Sequence, residues 1–491
     1  MAAQQATRFA LPALAGAVVV GALLRLHLAW TDDGIYWPDE IYQSLEPAHR
    51  LVFGYGLVAW EFVEGARNWA LPGLVALFLK GFALVGWEDP AQSVRGLKSV
   101  FALCGGATVW AVWRLARALG ADESPAVAGA WAFALIAPAI YFAPRGMSEP
   151  SSALPLVLGL ALALPTSSSD RRLVGGASLL GMATLLRLQN GVFCAGLIAV
   201  LLARRAWRQA GIAFAVLCGW GVLFGLLDKL TWGHWFHSAA VYLKFNLIDG
   251  KASQWGTAEP GYYLQFLYTS MPAAAVLLAA LALFAWQKAR GLLLIALAFL
   301  ALHSLVPHKE LRFVFALLPL GCALAAIGLG RMAELGRGWL QVPEGEPLPT
   351  WMRAGPMSAL LLACLFSAAT HRSLTFGQLG QYLREKPRAS AYDDFGGVNR
   401  LLLAAHDRED LCGLKVESVH AAWMGGQTYL HRQVPLYPHS GPPREGHRFN
   451  YAITASAWAR EGQVVAAEGG SVLVRFPWAC VPDSGYSERL P

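Results

Sequence analysis

Charged residues interrupt the hydrophobic sequence at His308, Lys309, Glu310 and Arg312. On either side, residues 292–306 and 313–329 are almost wholly apolar. Charge at membrane depth is costly, and it therefore usually marks a site that binds or reacts. These four residues are predicted to form such a site.

A second candidate for chemistry is Pro38-Asp39-Glu40, which follows the first hydrophobic stretch and has aromatic neighbours. Partial burial and an adjacent like charge both favour the neutral form of a carboxyl group, and the resulting rise in pKa suits a general base. The same residues also suit the start of a helix. On this pattern alone, catalysis and helix capping both remain open.

The composition requires many membrane-spanning helices to position these residues. The 491 residues are 56% hydrophobic and 14% charged, whereas soluble domains are about one-quarter charged. The net charge of +7 is scattered over short loops, where basic residues set orientation. We predict a polytopic α-helical membrane protein that contacts membrane lipids and no nucleic acid.

Basic residues in short loops predict a cytoplasmic N-terminus and about eleven transmembrane helices. The predicted spans are residues 9–30, 93–113, 126–143, 150–166, 173–187, 190–203, 210–227, 268–286, 291–306, 313–329 and 355–370. Residues 71–87 are also apolar, but counting them as a span would invert every later loop. They are predicted to form an interfacial helix on the outer surface.

This topology predicts a membrane domain over residues 1–370, with its first outer loop at 31–92, and an extracytoplasmic domain over 371–491. The tail is polar with short apolar runs, which is typical of a small α/β domain. Cys412 and Cys480 could pair there in an oxidising compartment. The sequence contains no Asn-x-Ser/Thr site and uses Arg more than Lys. These features favour a bacterial inner membrane, with the site facing the periplasm, over an endoplasmic reticulum membrane with the site facing the lumen.

Several polar residues follow one another in a fixed order along the first outer loop: Asp39, Glu40, Gln43, Glu46, His49, Trp60, Glu61 and Arg67. This order resembles the first outer loop of glycosyltransferase family 22, and residues 308–313 resemble the HKEERF-type signature of that family. Its members are the membrane mannosyltransferases of the dolichol-linked oligosaccharide and GPI-anchor pathways, which have the GT-C fold. The resemblance extends over most of the chain.

The resemblance implies a role for each group of residues. Asp39 would be the catalytic base with Glu40 as its neighbour, and His308, Lys309 and Arg312 would bind the donor phosphate. The implied substrate-binding residues are Gln43, Glu46, His49, Trp60, Glu61, Arg67, Arg145, Glu149, Arg187 and Asn246. Alternatives stay open for four of them: Arg145 and Arg187 also suit helix ends at the lipid headgroups, and Glu46 and Glu149 could orient loops.

The expected activity is an inverting transfer of a sugar, most simply mannose, from a polyprenyl-phosphate donor to a lipid-linked or glycan acceptor on the outer face. Fixed cations can neutralise the departing phosphate, so no metal or cofactor is expected. A lipid-linked sugar flippase or transporter is an alternative, although such proteins favour internal repeats and midplane charges. A related transferase that uses another sugar such as arabinose is a further alternative.

Overall fold

The computed structural model describes residues 2–343, 346, 348–381, 387–438, 447–456 and 462–490, with the side chains of 2–9 and 421 left out. The described residues are mostly helical. The helices are α1 Ala2–Thr31, α2 Glu46–Phe53, α3 Trp60–Val63, α4 Ala70–Leu84, α5 Pro90–Ala118, α6 Glu123–Leu135, α7 Ala137–Phe142, α8 Ser148–Ser151, α9 Ala153–Ala163, α10 Asp170–Leu186, α11 Gly191–Ala203, α12 Trp207–Trp232, α13 His237–Leu243, α14 Tyr262–Ser270, α15 Pro272–Phe284, α16 Trp286–Leu305, α17 Leu317–Trp339, α18 Thr350–Ala369, α19 Gly396–His406 and α20 Gly426–Leu430.

Six of the predicted spans are confirmed as helices long and apolar enough to cross a membrane: α1 from Ala10, α5, α12, α16, α17 and α18. The other predicted spans coincide with shorter helices. For example, α9 has 11 residues and α15 has 13, which at about 1.5 Å per residue is shorter than a hydrocarbon core of about 30 Å. The predicted span 126–143 is two helices, α6 and α7, that break at Ile136. The multi-pass architecture is confirmed, whereas the number eleven is not.

Contacts divide the chain into two compact units. The helical unit comprises Met1–Leu28, Phe101–Leu226 and Leu243–Ala389, and the loop–tail unit comprises Ala29–Val100, Leu227–Tyr242 and Ser390–Pro491. The first outer loop and most of the tail thus belong to the same unit.

Close helix packing holds the helical unit together. Helices α15 and α17 approach so closely that a Cβ atom at Gly328 would lie 1.9 Å from the carbonyl oxygen of Leu281. Only glycine fits at this crossing, and the two backbones can therefore touch. Residues 322–327 beside it are buried, which makes α17 a central helix of this unit.

The tail in the loop–tail unit forms a small mixed sheet, as the sequence predicts. The strands are β1 Leu414–Val416, β2 Leu436–Tyr437, β3 Tyr451–Ala455, β4 Gln463–Glu468 and β5 Ser471–Arg475, in the order β2-β1-β3-β5-β4. Strand β1 runs parallel to β2 and β3, while β5 runs antiparallel to β3 and β4. Cys412 and Cys480 form a disulfide with a Cα–Cα distance of 5.8 Å, which confirms their pairing.

Helix α4 forms most of the segment 71–87, which is predicted to lie on the membrane surface. Its 15 residues bury Leu71, Val75 and Leu79 on one side and expose Leu77 and Leu84 on the other. A second apolar side of this kind is typical of an interfacial helix. Its position at a membrane stays a prediction.

Replacing Cys412 and Cys480 by serine should destabilise the tail. The crosslink joins residues 68 apart, and the chain-entropy model assigns a loop of that size about 4 kcal/mol. We expect a lower midpoint of thermal unfolding and faster proteolysis of the tail. Cys218→Ser, at an exposed free cysteine, should change neither measurement. Two free thiols at residues 412 and 480 in the non-reduced protein, detected by mass spectrometry, would contradict the pairing.

Candidate active site

Five charged side chains of the helical unit form a buried ion cluster: Glu149, Arg187, His308, Glu310 and Arg312. Arg312 lies between two carboxylates, because its Nε and Nη2 donate to the two oxygens of Glu310 at 2.8 and 3.1 Å and its Nη1 donates to Glu149 at 3.0 Å. Arg187 forms an ion pair with Glu149, and His308 Nε2 lies 3.2 Å from Glu310 Oε1. Arg312 is only 2% exposed, so these charges compensate one another away from water.

Three separate connections between helices supply the cluster. Glu149 lies in α8, Arg187 directly follows α10 in an extended conformation, and Arg312 lies in the 3-10 turn Leu311–Val314. Helix ends leave backbone groups unpaired, and one of the arginines also satisfies such a group: Arg187 donates to the carbonyl of Phe313 at 3.1 Å. The cluster therefore fastens connections that are far apart in the sequence.

Neighbouring charges outweigh burial in setting the protonation of the cluster. Burial alone would raise the pKa of Glu149, but the guanidinium groups of Arg187 and Arg312 lower it to about 2. Burial would lower the pKa of His308, but the hydrogen bond to Glu310 and its charge raise it above the usual value. The two arginines balance the two carboxylates. Protonation of His308 therefore leaves the cluster with one net positive charge.

Lys309 points to a different set of partners from Arg312. Its Nζ donates to the carbonyl of Ala258 at 2.6 Å, and His308 Nδ1 lies 3.0 Å from the carbonyl oxygen of Gly256. These contacts tie the turn at residues 307–309 to the segment before α14. A phosphate bound by Lys309 or by His308 Nδ1 would compete with these carbonyl groups for the hydrogen bonds. The structure thus brings His308 and Arg312 into one network and leaves Lys309 beside it.

Two other predicted substrate-binding residues, Arg145 and Asn246, also belong to the helical unit. The guanidinium of Arg145 is buried, with its carbon 4.3 Å from the ring centroid of Tyr141. Asn246 lies half-buried in the π-helical turn Lys244–Ile248. Arg145 is therefore held against an aromatic face.

The predicted catalytic loop lies in the loop–tail unit, where Gln43, Glu61 and Arg67 group with Asp39. Gln43 Nε2 donates to Glu61 at 2.9 Å, and Glu61 feels the charges of both Arg67 and Asp39. Burial raises the pKa of Glu61, Arg67 opposes this rise and Asp39 adds to it. Trp60, half-buried, begins the short helix that carries Glu61. Gln43 and Arg67 are thus brought together around the carboxylates of Glu61 and Asp39.

Asp39 and Glu40 differ in their surroundings. Glu40 is 3% exposed, and one of its carboxylate oxygens accepts a hydrogen bond from the backbone N–H of Tyr36. Asp39 is only half-buried. Glu40 therefore holds the turn, and Asp39 is the more exposed of the two carboxylates.

Glu46 fastens the first outer loop to the tail within the loop–tail unit. Its fully buried carboxylate accepts hydrogen bonds from the backbone N–H groups of Leu57, Gln427 and Thr428 at 2.7, 2.9 and 2.8 Å, and from the Thr428 hydroxyl at 2.7 Å. All four partners are donors, which is the set that an ionised carboxylate needs. This geometry supports the open alternative that Glu46 orients the loop.

His49 makes a second contact between the loop and the tail. Its Nε2 lies 2.9 Å from Nδ1 of His431, and its Nδ1 lies 3.1 Å from the carbonyl oxygen of Tyr55. Burial and the neighbouring His431 lower the pKa of His49 to about 3. His49 is therefore a neutral residue of the interior, held between loop and tail.

Three residues of these networks have no role in the predictions from sequence. Glu310 was predicted to lie in the site, but only the cations beside it, His308, Lys309 and Arg312, were given a role. Lys98 could have been noticed as a lysine inside a predicted span, and it donates to the carbonyl of Asp32 at 2.6 Å, near Glu40. Thr428 could not, because its partner Glu46 is 382 residues away.

Sequence comparisons with known proteins point to mannosyltransferases. A sequence model of the Alg9-like mannosyltransferase family matches residues 17–388. "GPI mannosyltransferase 3" of Yarrowia lipolytica is 30% identical over 76% of this chain and 71% of that protein. "GPI alpha-1,2-mannosyltransferase 3" of Danio rerio is 26% identical over 65% of this chain and 60% of that protein. The chain thus covers less than two thirds of the fish relative.

A solved structure with the same fold is ArnT from Cupriavidus metallidurans bound to undecaprenyl phosphate. The TM-score is 0.62 at 14% identity, and the alignment covers 97% of this chain and all of that one. At this identity the likeness shows the fold alone, and it confirms the predicted GT-C type. The two relatives named above come from eukaryotes, so they do not support the predicted preference for a bacterial inner membrane.

Breaking the Glu46 contacts should loosen the loop from the tail. In Glu46→Gln, one acceptor oxygen becomes an NH2 group that faces donors, and a buried donor left without a partner costs about 1–3 kcal/mol. Thr428→Val removes only the hydroxyl and should destabilise the protein less. We expect both variants to lower the thermal unfolding midpoint in that order. Glu64→Gln, at an exposed carboxylate, is the matched control, and an equal midpoint for Glu46→Gln would refute this role.

Proposed function

This chain belongs to the Alg9-like mannosyltransferase family, and we propose that it moves mannose from a polyprenyl-phosphate donor to a lipid-linked glycan, with inversion, on the non-cytoplasmic face of the membrane. The observation that carries the proposal is the buried ion cluster of the helical unit. A family of transferases also gives no support to the flippase alternative. The names of the two relatives support a glycan of the GPI type as the acceptor.

The kind of sugar donor depends on the face of the membrane on which transfer takes place. Nucleotide sugars are made in the cytoplasm, and a sugar carried by a lipid is therefore the donor expected for a transferase on the other face of the membrane. A polyprenyl-phosphate sugar has one phosphate as its leaving group, and preorganised cations can stabilise the charge that develops on it. The undecaprenyl phosphate bound to ArnT is a lipid phosphate of the same chemical class.

The residues of the ion cluster take the donor side of the reaction in this proposal. Arg312 and Arg187 are oriented by Glu149, so their guanidinium groups need no rearrangement when the phosphate becomes more negative. His308, protonated with the help of Glu310, donates a hydrogen bond or a proton to the departing phosphate oxygen. Lys309 adds a positive charge beside them.

Asp39 takes the acceptor side. Its carboxylate accepts the proton of the acceptor hydroxyl while that oxygen attacks the anomeric carbon, and the bond from this carbon to the phosphate oxygen breaks with its electron pair going to the phosphate. A single displacement inverts the anomeric carbon, so a β-linked donor gives an α-mannoside. Glu61 lies close enough to feel the charges of both Asp39 and Arg67.

A transfer assay tests the proposal directly. Purified protein is given a set of polyprenyl-phosphate sugars and a mannose-containing lipid-linked acceptor, and the product is analysed for the linked sugar and its anomeric configuration. Transfer of mannose with an α linkage is expected. Transfer from a nucleotide sugar alone, or of arabinose alone, would overturn the assignment of the donor.

Asp39→Asn should abolish transfer in a folded protein, because the amide keeps the shape but cannot take the proton. General-base catalysis contributes about a hundredfold or more, so at least that loss is expected in kcat. Glu40→Gln retains an oxygen for the Tyr36 N–H and should lose less. Glu64→Gln is the control. A larger loss in Glu40→Gln than in Asp39→Asn would move the base to Glu40.

The pH profile tests His308. The protonated imidazole is the active form, so the rate should fall as pH rises through the pKa of His308, which Glu310 holds above its usual value. Glu310→Gln removes the negative charge and should lower this pKa, and the fall should therefore begin at a lower pH. The measurement is kcat/KM against pH for both proteins. An alkaline limb that stays in place would exclude His308 as the titrating group.

A further inference from the structure

Arg25 is a fully buried arginine of α1 that the proposed reaction does not use. Its Nη1 donates to the carbonyl oxygens of Gly21 and Ala134 at 2.8 and 3.1 Å, and its Nη2 donates to that of Phe133 at 2.9 Å. Within the described part of the chain, this guanidinium is paired with carbonyl groups and with no carboxylate. Burying a charge in a membrane-spanning helix is costly, and such a residue therefore usually has a structural or functional role.

Two of the three carbonyls that accept from Arg25, those of Phe133 and Ala134, are left unpaired by the break between α6 and α7. In a continuous helix the Phe133 carbonyl would accept from the N–H of residue 137, but Ala137 N–H donates to the Ser367 hydroxyl at 2.9 Å. The Ala134 carbonyl would accept from residue 138, which is Pro138 and has no N–H. Arg25 donates to both of these carbonyls. Its positive charge lies at the C-terminal end of α6, where the helix dipole is negative.

The surrounding small residues make room for this arrangement. A Cβ atom at Gly105 would lie 3.0 Å from Cδ of Arg25 and 2.8 Å from the Cβ of Ala143, and one at Gly21 would lie 3.3 Å from Nη1. Both glycines therefore allow the guanidinium to lie beside the break. The break is bounded on one side by Arg25 and on the other by Ser367.

Helix α7 connects the break to the buried ion cluster. It ends at Phe142, whose carbonyl accepts from Arg145 N–H at 3.2 Å, and the carbonyl of Arg145 accepts from Met147 N–H at 2.7 Å. Glu149 follows in α8. Only a short, hydrogen-bonded turn thus separates the end of α7 from the carboxylate that pairs with both arginines of the cluster.

We propose that Arg25 is a positioning residue for transfer: it fixes the break at Ile136 and thereby the direction in which α7 presents Arg145 and Glu149. This inference rests on the proposed function of the buried ion cluster. It gives Arg25 an effect on the rate of the chemical step as well as on folding.

The test compares Arg25→Met with Arg25→Lys in purified, monodisperse protein. Methionine retains a long apolar stem without donors, and a small misplacement of reacting groups can cost about tenfold to a hundredfold. We expect kcat to fall by that factor in Arg25→Met with KM for the donor little changed, and lysine to restore part of kcat. Wild-type kcat in folded Arg25→Met would overturn the inference.

A second variant and a control complete the design. Ser367→Ala releases Ala137 N–H on the other side of the break, so it should also lower kcat, and its effect should not add to that of Arg25→Lys. If Arg25→Met fails to fold, unchanged kcat in both of these variants overturns the inference. Arg204→Met is the matched control, because Arg204 also donates to a carbonyl at a helix end, that of Leu164, and should leave kcat unchanged.

Arg312→Ala separates this inference from the proposed function. An inactive Arg312→Ala together with fully active Arg25 variants would overturn the role of Arg25 alone. A fully active Arg312→Ala would overturn the role of the ion cluster itself, whatever the Arg25 variants do.

Discussion

Arg312 is a buried charge of the helical unit that two carboxylates compensate. A buried charge without a partner costs several kcal/mol even after the surroundings relax, and Arg312 is almost completely enclosed. Glu310 and Glu149 compensate it, Arg187 compensates Glu149, and each of these residues ends or joins helices. The direction of those helices is therefore tied to the geometry of one charge network, and the proposed site for phosphate depends on the same contacts that stabilise the fold.

A common solution to burial recurs at three places. Arg25 satisfies carbonyls at a helix break, Arg312 satisfies two carboxylates, and Glu46 is satisfied by four donors from the loop and the tail. In each case a charged side chain is the hydrogen-bond partner of buried polar groups. Replacement by an apolar residue leaves such groups unpaired, which is why these three positions are expected to respond more strongly than their exposed counterparts.

The hydrophobic sequence was sufficient to predict a multi-pass membrane protein with a small α/β tail, and the family resemblance carried by the order of the polar residues implied the GT-C type. The pairing of Cys412 with Cys480 was left open by the sequence and is established by the structure. The hydrophobic sequence was not sufficient to predict the number of spans. Hydropathy is averaged over many residues, so residues 126–143 were predicted as one span. The break between α6 and α7 depends on Ile136, Pro138 and the side chain of Arg25. Glu310 was predicted to lie in the site, but its role was not, because its contacts with Arg312 and His308 become visible only in the structure. The role of Glu46 required knowledge of a partner in the tail, which no local pattern provides.

The long separation between Glu46 and its partners has a consequence for synthesis of the protein. Residues 427 and 428 leave the ribosome only after about 380 further residues have followed Glu46, which at about 5–20 residues per second takes roughly 20 to 80 s. During that interval Glu46 has only one of its four donors, the backbone N–H of Leu57. The first outer loop therefore reaches its final form only after residue 428 has been synthesised. A chain stopped shortly before Gly426 would already contain Asp39 and Glu40 but would lack the contacts of Glu46 with the tail.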